Sequence, residues 1–436
     1  EGNTPPGAGD DALFTASATL AAPADFTGTV RVQGEGTHLT LTNVAAAAAL
    51  AVAVDEGATL EKTGAGSLTL RAAPGFHPGR VVVTAGEAVF AGNGEWEAPG
   101  AFGPVAVAAG AGARIVESPA AQRHGVLVFA GGRTEGEIKN IWATHTPHAN
   151  FEAVWAGLDK TVETNRVLTV FSKEKPFALS NGWFPAAWQW KDSYMAWART
   201  LFLMPQDEKV RACLYADDYG QVYLDGEEWF ARAQCKTVWA TRTLARGFHA
   251  LDLFFGELAG SDGMSIRLAG KVFGGAGPLT RGDAFWKGVA FARLDLAAGA
   301  TLALEDGQAL ALAAGEASAL KGTVTGGAGA VLAVGSGTLA ADAACFAGFN
   351  GKIELCTDAR AALANLGADA AFTVTGAGTV GTDLAGRLAD DFTGTVEIPA
   401  GATFESAAAD PAHAFSGAGT LVAPTLKGTE RFAGTV

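Results

Sequence analysis

The densest group of chemistry-bearing side chains runs from Val210 to Gly226 and holds Cys213, Tyr215, Asp217, Asp218, Tyr219, Tyr223 and Asp225. Adjacent aspartates readily accept hydrogen bonds from nearby backbone amides, and Asp225-Gly226 has the composition of a tight hairpin turn. A second group is aromatic: Trp183, Trp188, Trp190 and Trp197, the first three within Asn181-Gly182-Trp183-Phe184-Pro185-Ala186-Ala187-Trp188-Gln189-Trp190. Tryptophan faces stack on the C–H surfaces of sugars, and Trp188-x-Trp190 places both rings on one face of a strand. The same spacing serves core packing, where each ring removes ~150–250 Å² from water. Trp183, Trp188 and Trp190 are the candidate carbohydrate-binding residues.

Catalytic frameworks are missing from the sequence. There is no Gly-x-Ser-x-Gly elbow and no His-Glu-x-x-His. His145-Thr146-Pro147-His148 contains a proline and lacks a nearby carboxylate, so it reads as a loop and not as a zinc site. The Gly-x-Gly stretches lack a third glycine and precede strands, which removes the dinucleotide reading. Arg281-Gly282-Asp283 is a tripeptide that recurs by chance. No catalytic residue is assigned. Cys213, Cys235, Cys345 and Cys356 are disulfide candidates. They permit two local bridges, first with second and third with fourth, but four cysteines allow three connectivities.

The elements that must position these groups divide the chain by composition. Eight of the ten tryptophans lie between Trp142 and Trp239, and all tyrosines and methionines fall between Tyr194 and Met264. Outside that region Gly, Ala, Thr, Val and Leu dominate. The shift sets a central domain at 135–277, with flanks 1–134 and 278–436 forming one interrupted architecture. The flanks repeat. Phe-x-Gly-Thr-Val occurs at Phe26, Phe392 and Phe432, with a looser copy from Phe76 to Val81. Gly-Ala-Thr followed by Leu or Phe occurs at Gly57, Gly299 and Gly401. Gly-x-Gly ahead of an aliphatic residue occurs at Gly64, Gly335, Gly376 and Gly417. Such self-similarity marks a stacked repeat. Alternation such as Leu39-Thr40-Leu41 reads as strand. Ala favours helix, but Gly every few residues costs ~1 kcal/mol per helix position. The expected fold class is all-β: a parallel β-solenoid, or β-helix, interrupted by an inserted antiparallel β-sandwich.

Composition excludes several classes. The 436 residues carry 31 Lys+Arg against 45 Asp+Glu, a net charge of −14, which argues against nucleic acid. The longest apolar run, Val44 to Val54, covers about 11 residues against the ~20 that a bilayer span requires. At 49% hydrophobic the chain is not of disordered composition. No signal peptide is visible, and Glu1-Gly2-Asn3-Thr4-Pro5-Pro6 suits the start of a processed secreted chain.

Two resemblances follow. The flank pattern, Gly-Ala-Thr-Leu with Gly-Ala-Gly-Thr-Leu and Phe-x-Gly-Thr-Val, resembles the strand repeats of bacterial autotransporter passenger domains. That resemblance implies right-handed parallel solenoids at a cell surface, although no membrane barrel follows here. The central region resembles the protective-antigen-type β-sandwich found in yeast flocculins and inserted into some glycosidases. Three elements carry it, in order: Asp217-Asp218-Tyr219-Gly220, Tyr223-Leu224-Asp225-Gly226 and Arg246-Gly247-Phe248-His249. In sugar-binding members the paired aspartates hold Ca²⁺, which coordinates glycan hydroxyls. The resemblance thus implies Asp217 and Asp218 as metal ligands, with a cis peptide between them.

The expectation is a secreted, non-enzymatic structural and adhesive protein at the cell surface or outside the cell. Its sandwich is displayed for glycan binding with Ca²⁺ as cofactor. Phe432-Ala433-Gly434-Thr435-Val436 repeats the motif that opens at Phe26, so copies are expected to pair head to tail into a filament. The alternative is a polysaccharide-acting lyase or glycosidase on a β-helix, with an accessory sugar-binding domain.

Overall fold

The computed structural model describes residues 11–22, 26, 28–43, 47–73, 75–92, 100–116, 126–130, 135–143, 167–168, 178–179, 192–204, 207–245, 247–260, 263–269, 289–312, 318–364, 371–405, 413–422 and 431–432. The flanks wind as a parallel β-solenoid. One sheet stacks Ala12–Phe14, Thr29–Val32, Ala47–Val54, Ser67–Ala72, Glu87–Phe90, Gly112–Ile115, Thr301–Leu304, Thr323–Gly326 and Gly348–Phe349. The other runs from Ala18–Ala21 through His38–Thr42, Thr59–Thr63, Arg80–Val83, Gly100–Val107 and Val289–Leu296 to Arg431–Phe432. The Ala-rich stretch 47–54 is a strand, so glycine punctuation prevails over alanine's helical preference.

Alternation along each short strand sends one side chain inward and the next to solvent. Successive coils keep the inward residues in register: Leu39 pairs with Leu60, Leu60 with Val81, Val81 with Val105 and Val105 with Leu294. All five are buried. The ladder passes directly from Val105 to Leu294, although the antiparallel insert lies between them in sequence. Val107–Leu296 and Ile115–Leu304 continue it on both sheets. Phe90, Phe102 and Phe291 fill the core at this seam, with ring centroids 4.8–5.8 Å apart.

The repeated glycines have two physical roles. Gly57, at φ +75°, is the third residue of a turn closed by Ala58 N–H donating to Asp55 O at 3.0 Å, a position that requires positive φ. Gly394, in the Phe-x-Gly-Thr-Val motif, lies against the preceding coil, where a Cβ would come within 2.0 Å of Gly378 O. One interior position is cationic. Lys62 is fully buried, and its Nζ donates to the carbonyls of Thr63, Gly64 and Ala85 at 2.7–3.1 Å. Burial pushes its ammonium below the usual lysine range.

The insert is an antiparallel sheet built on the Tyr194–Met204, Glu208–Leu224, Glu227–Leu244, Gly247–Glu257 and Gly263–Ala269 strands. It also takes in Val126–Ala130, which pairs antiparallel with Tyr194–Met204 and lies upstream of residue 135. That strand holds neither Trp nor Tyr, so the change in aromatic content does not reveal it. A helix, Glu135–Ala143, covers the sheet with Ile138, Ile141 and Trp142. Trp142 stacks on Tyr219 at 5.6 Å and packs where Gly256 has no Cβ. The insert docks on the solenoid through Phe248 and Ala250, which pack with Ala101, Ala290, Ala311 and Phe76.

Candidate functional site

The site is set by one long strand that changes partner midway. Residues Arg211 to Asp217 of Glu208–Leu224 pair with Gly263–Ala269, whereas Tyr219 to Leu224 pair with Gly247–Glu257. The changeover falls at Asp217-Asp218. The Glu227–Leu244 strand follows both halves of its hairpin partner, with a register shift between Ala216 and Tyr219. Such a bulge unpairs residues and bends the strand. The Asp217–Asp218 peptide bond is cis, and Cys235, across the bulge, has φ +44°.

This geometry gathers Asp217, Asp218 and Cys235, with one ligand atom from each lying within 4.8 Å of the others. Asp218 Oδ2 accepts from Leu258 N–H at 2.8 Å, and its Oδ1 accepts from the Cys235 thiol at 3.3 Å. Both carboxylates are partly exposed. Desolvation, followed by the two neighbouring carboxylates, pushes the Cys235 thiol up to about 11. Cys235 is therefore exposed yet protonated near neutrality. Its alkylation at about pH 7.5 is expected to be at least tenfold slower than that of a free cysteine and to accelerate toward pH 11. Mass spectrometry of iodoacetamide adducts over time measures this, and full reaction at the rate of free cysteine would contradict it.

The other two motif elements meet at a second point of the same module. Asp225, at φ +53°, opens the turn to Gly226. Its Oδ1 accepts from Ala250 N–H at 2.8 Å, and its Oδ2 faces His249 Nδ1 at 2.6 Å. His249 Nε2 lies 2.7 Å from Ala245 O. Burial lowers the His249 pKa, but the Asp225 hydrogen bond and charge outweigh it, so the imidazole titrates above its ordinary value. Arg242 opposes that rise through its charge. Asp225 and His249 thus join the hairpin turn to the strand that docks on the solenoid.

Of the residues singled out from sequence, Asp217 and Asp218 converge. Trp183, Trp188 and Trp190 lie outside the described residues, as do His145, His148 and Arg281 to Asp283. The disulfide expectation is corrected: Cys213, Cys235, Cys345 and Cys356 all remain thiols, with no bridge among them. Cys213 is buried opposite Trp239, whereas Cys235 lies exposed at the bulge. Cys345 is buried with its thiol donating to Leu320 O at 3.2 Å, and Cys356 belongs to the next coil's Lys352–Ala364 strand.

Sequence reasoning overlooked Cys235 as a neighbour of the aspartates, and it overlooked Tyr215 and Trp239. A regular hairpin grown from Asp225-Gly226 pairs Tyr215 with Lys236; the register shifts place Thr237 there and Trp239 opposite Cys213. A one-residue slip exchanges the two faces of a strand. The slip is the net of three irregularities, at Asp217-Asp218, between Gly220 and Val222 and between Val222 and Tyr223, and of these the polar Asp217-Asp218 pair interrupts the strand-like run in sequence.

No family model matches the chain, and no curated protein matches it. Among solved structures, a β-glucosidase from Kluyveromyces marxianus is similar over 43% of this chain and 23% of that one, at 9% identity and a TM-score of 0.23. A structure of β-glucosidase from the same yeast in complex with glucose is similar over 27% and 19%, at 10% identity and a TM-score of 0.17. The chain spans less than a quarter of the length of these enzymes, and likeness of that depth carries no argument about activity.

Proposed function

We propose that the chain is a non-enzymatic structural and adhesive protein of the cell surface or extracellular space, in which the solenoid is a shaft and the insert presents a calcium-assisted carbohydrate site. The observation that carries this reading is the placement of Asp217 and Asp218 together at a strand bulge, with both residues partly exposed. Calcium takes six to eight hard oxygen ligands. The two carboxylates supply oxygens of that kind. The Cys235 thiol does not, being soft, protonated and bonded to Asp218 Oδ1. Asp217 and Asp218 therefore fit as part of a calcium shell, and the ion when bound would hold vicinal hydroxyls of a sugar at its open positions.

The test is calcium titration by calorimetry on the full chain, followed by a glycan array with calcium and with chelator. The wild type is expected to bind calcium and to bind glycans only with it. The Asp217→Asn/Asp218→Asn double variant is expected to lose at least about tenfold in calcium affinity. Absence of both heat and glycan binding would overturn the proposal. Release of products from acidic polysaccharides would favour a lyase or glycosidase instead.

Self-association is part of the same proposal. Leu13 and Leu20, on the two outermost described strands of the N-terminal coil, are 56% and 39% exposed and offer apolar contact to a second copy. Strand addition there would use main-chain hydrogen bonds, as β-augmentation does. Sedimentation velocity across a concentration series is expected to show growing species, and a single concentration-independent monomer would remove the filament.

A further inference from the structure

Among the described residues, five large apolar side chains are strongly exposed, and two of them, Tyr215 at 41% and Trp239 at 56%, belong to the insert. Both lie on one face of one hairpin. Cross-strand register gives the rows on that face: Arg211 opposite Thr241, Cys213 opposite Trp239 and Tyr215 opposite Thr237. Residues directly opposite share a face, as do residues two apart along a strand. The next positions are Asp217 on one strand and Cys235 on the other, the two members of the carboxylate cluster. A strip of roughly 20 Å therefore leads from the aspartates across Tyr215 and Trp239 to Arg211.

Its chemistry is specific. The Arg211 guanidinium lies 4.3 Å from the centroid of the Trp239 ring, which holds the indole plane in place and leaves more than half the residue exposed. Exposed Thr237 and Thr241 flank the indole along its own strand and offer hydroxyls at its rim. Tyr215 and Asp217 lie two apart along the Glu208–Leu224 strand, so the aromatic strip runs up to the carboxylates on the same face. An aromatic surface bordered by hydroxyls suits a ligand with an apolar ring face and a polar edge. The protein's net charge of −14 disfavours an anionic chain.

The geometry points to an extended subsite: Trp239 and Tyr215 form a stacking platform that carries a neutral oligosaccharide whose terminal ring sits at Asp217 and Asp218. This rests on the reading of the aspartates as a sugar site and adds a chain-length preference that the aspartates alone do not provide. The platform is absent from the sequence-level candidates, which placed the stacking tryptophans at Trp183, Trp188 and Trp190.

The experiment measures binding of the full-length chain, with calcium, to mono-, di- and tetrasaccharides of glucose, mannose, galactose and N-acetylglucosamine. The wild type is expected to bind its preferred tetrasaccharide roughly tenfold more tightly than the monosaccharide. Trp239→Ala is expected to abolish that gain in a chain that still unfolds cooperatively and still binds calcium, and Trp239→Phe to restore part of it. A gain that survives in Trp239→Ala, or a wild type blind to chain length, overturns the platform and leaves the aspartate site standing. Loss of the gain in Trp239→Ala with full binding by Asp217→Asn/Asp218→Asn keeps the platform and removes the aspartate site. A wild type that binds none of the sugars overturns both.

Discussion

Phe291→Ala is expected to lower the stability of the solenoid by about 3–5 kcal/mol, at the upper end of what truncating one core side chain costs. Phe291 is fully buried and meets Phe90 at 4.8 Å and Phe102 at 5.8 Å, edge to face. Among the described residues it is the first large ring after the insert, and its backbone pairs with that of Phe102, the last such ring before it. Truncation removes a hydrophobic ring and two aromatic contacts, and it leaves a cavity that flanking coils fill poorly because their own register is fixed. In a solenoid each coil touches only its neighbours, so a defect at the seam uncouples the two arms. Urea unfolding followed by far-ultraviolet circular dichroism should show an earlier midpoint and a second transition. Phe291→Leu, which keeps most of the volume, should cost less than about 1.5 kcal/mol. A single transition at the wild-type midpoint for the alanine variant would show that the seam does not join the arms.

The second large effect is expected from Asp225→Ala. It removes the acceptor for Ala250 N–H and a partner of His249, and it places alanine at φ +53°. His249 is 8% exposed, so its ring loses that partner where water scarcely reaches. Two donors deprived of this acceptor and the left-handed backbone together cost about 2–4 kcal/mol, discounted because the Asp225 side chain itself is 40% exposed. Since Phe248 and Ala250 flank His249 and pack on the solenoid, the loss should also loosen docking of the insert. The pH dependence has a definite sign. The folded-state pKa of His249 is raised, so its contribution is complete below the ordinary histidine value and fades as pH rises through the folded value. The stability gap between wild type and His249→Gln should therefore be wider at about pH 5.5 than at about pH 8.5. A gap that widens toward alkaline pH would mean that the imidazole is held neutral.

The solenoid was legible because its determinants are local. Alternation in Leu39-Thr40-Leu41 needs only the two-residue period of a strand, and Gly57 marks a turn whichever coil lies beneath it. The Asp225-Gly226 turn was legible for a related reason, as a polar break between two strands, whereas Asp217-Asp218 interrupts a single strand and was singled out as a ligand pair by the family resemblance alone. Val126–Ala130 was not assigned to the insert, because its Val-Leu-Val-Phe pattern suits a solenoid strand equally well and only its antiparallel partner distinguishes the two. The cysteines misled in a similar way. Their spacing fits two bridges, whereas pairing depends on which face each thiol occupies.

From composition and periodicity alone came the all-β class, the parallel coil and the presence of a foreign module within it, since each follows from neighbours a few residues apart. Tertiary structure alone decided which residues surround the aspartates. Register shifts at Asp217-Asp218 and on both sides of Val222 together leave the outer hairpin one residue away from regular pairing, and a one-residue shift exchanges inward and outward side chains. That is why Cys235 came to face the carboxylates and why Trp239 stands in solvent beside Arg211: the cross-strand partner of a residue depends on every irregularity between it and the turn.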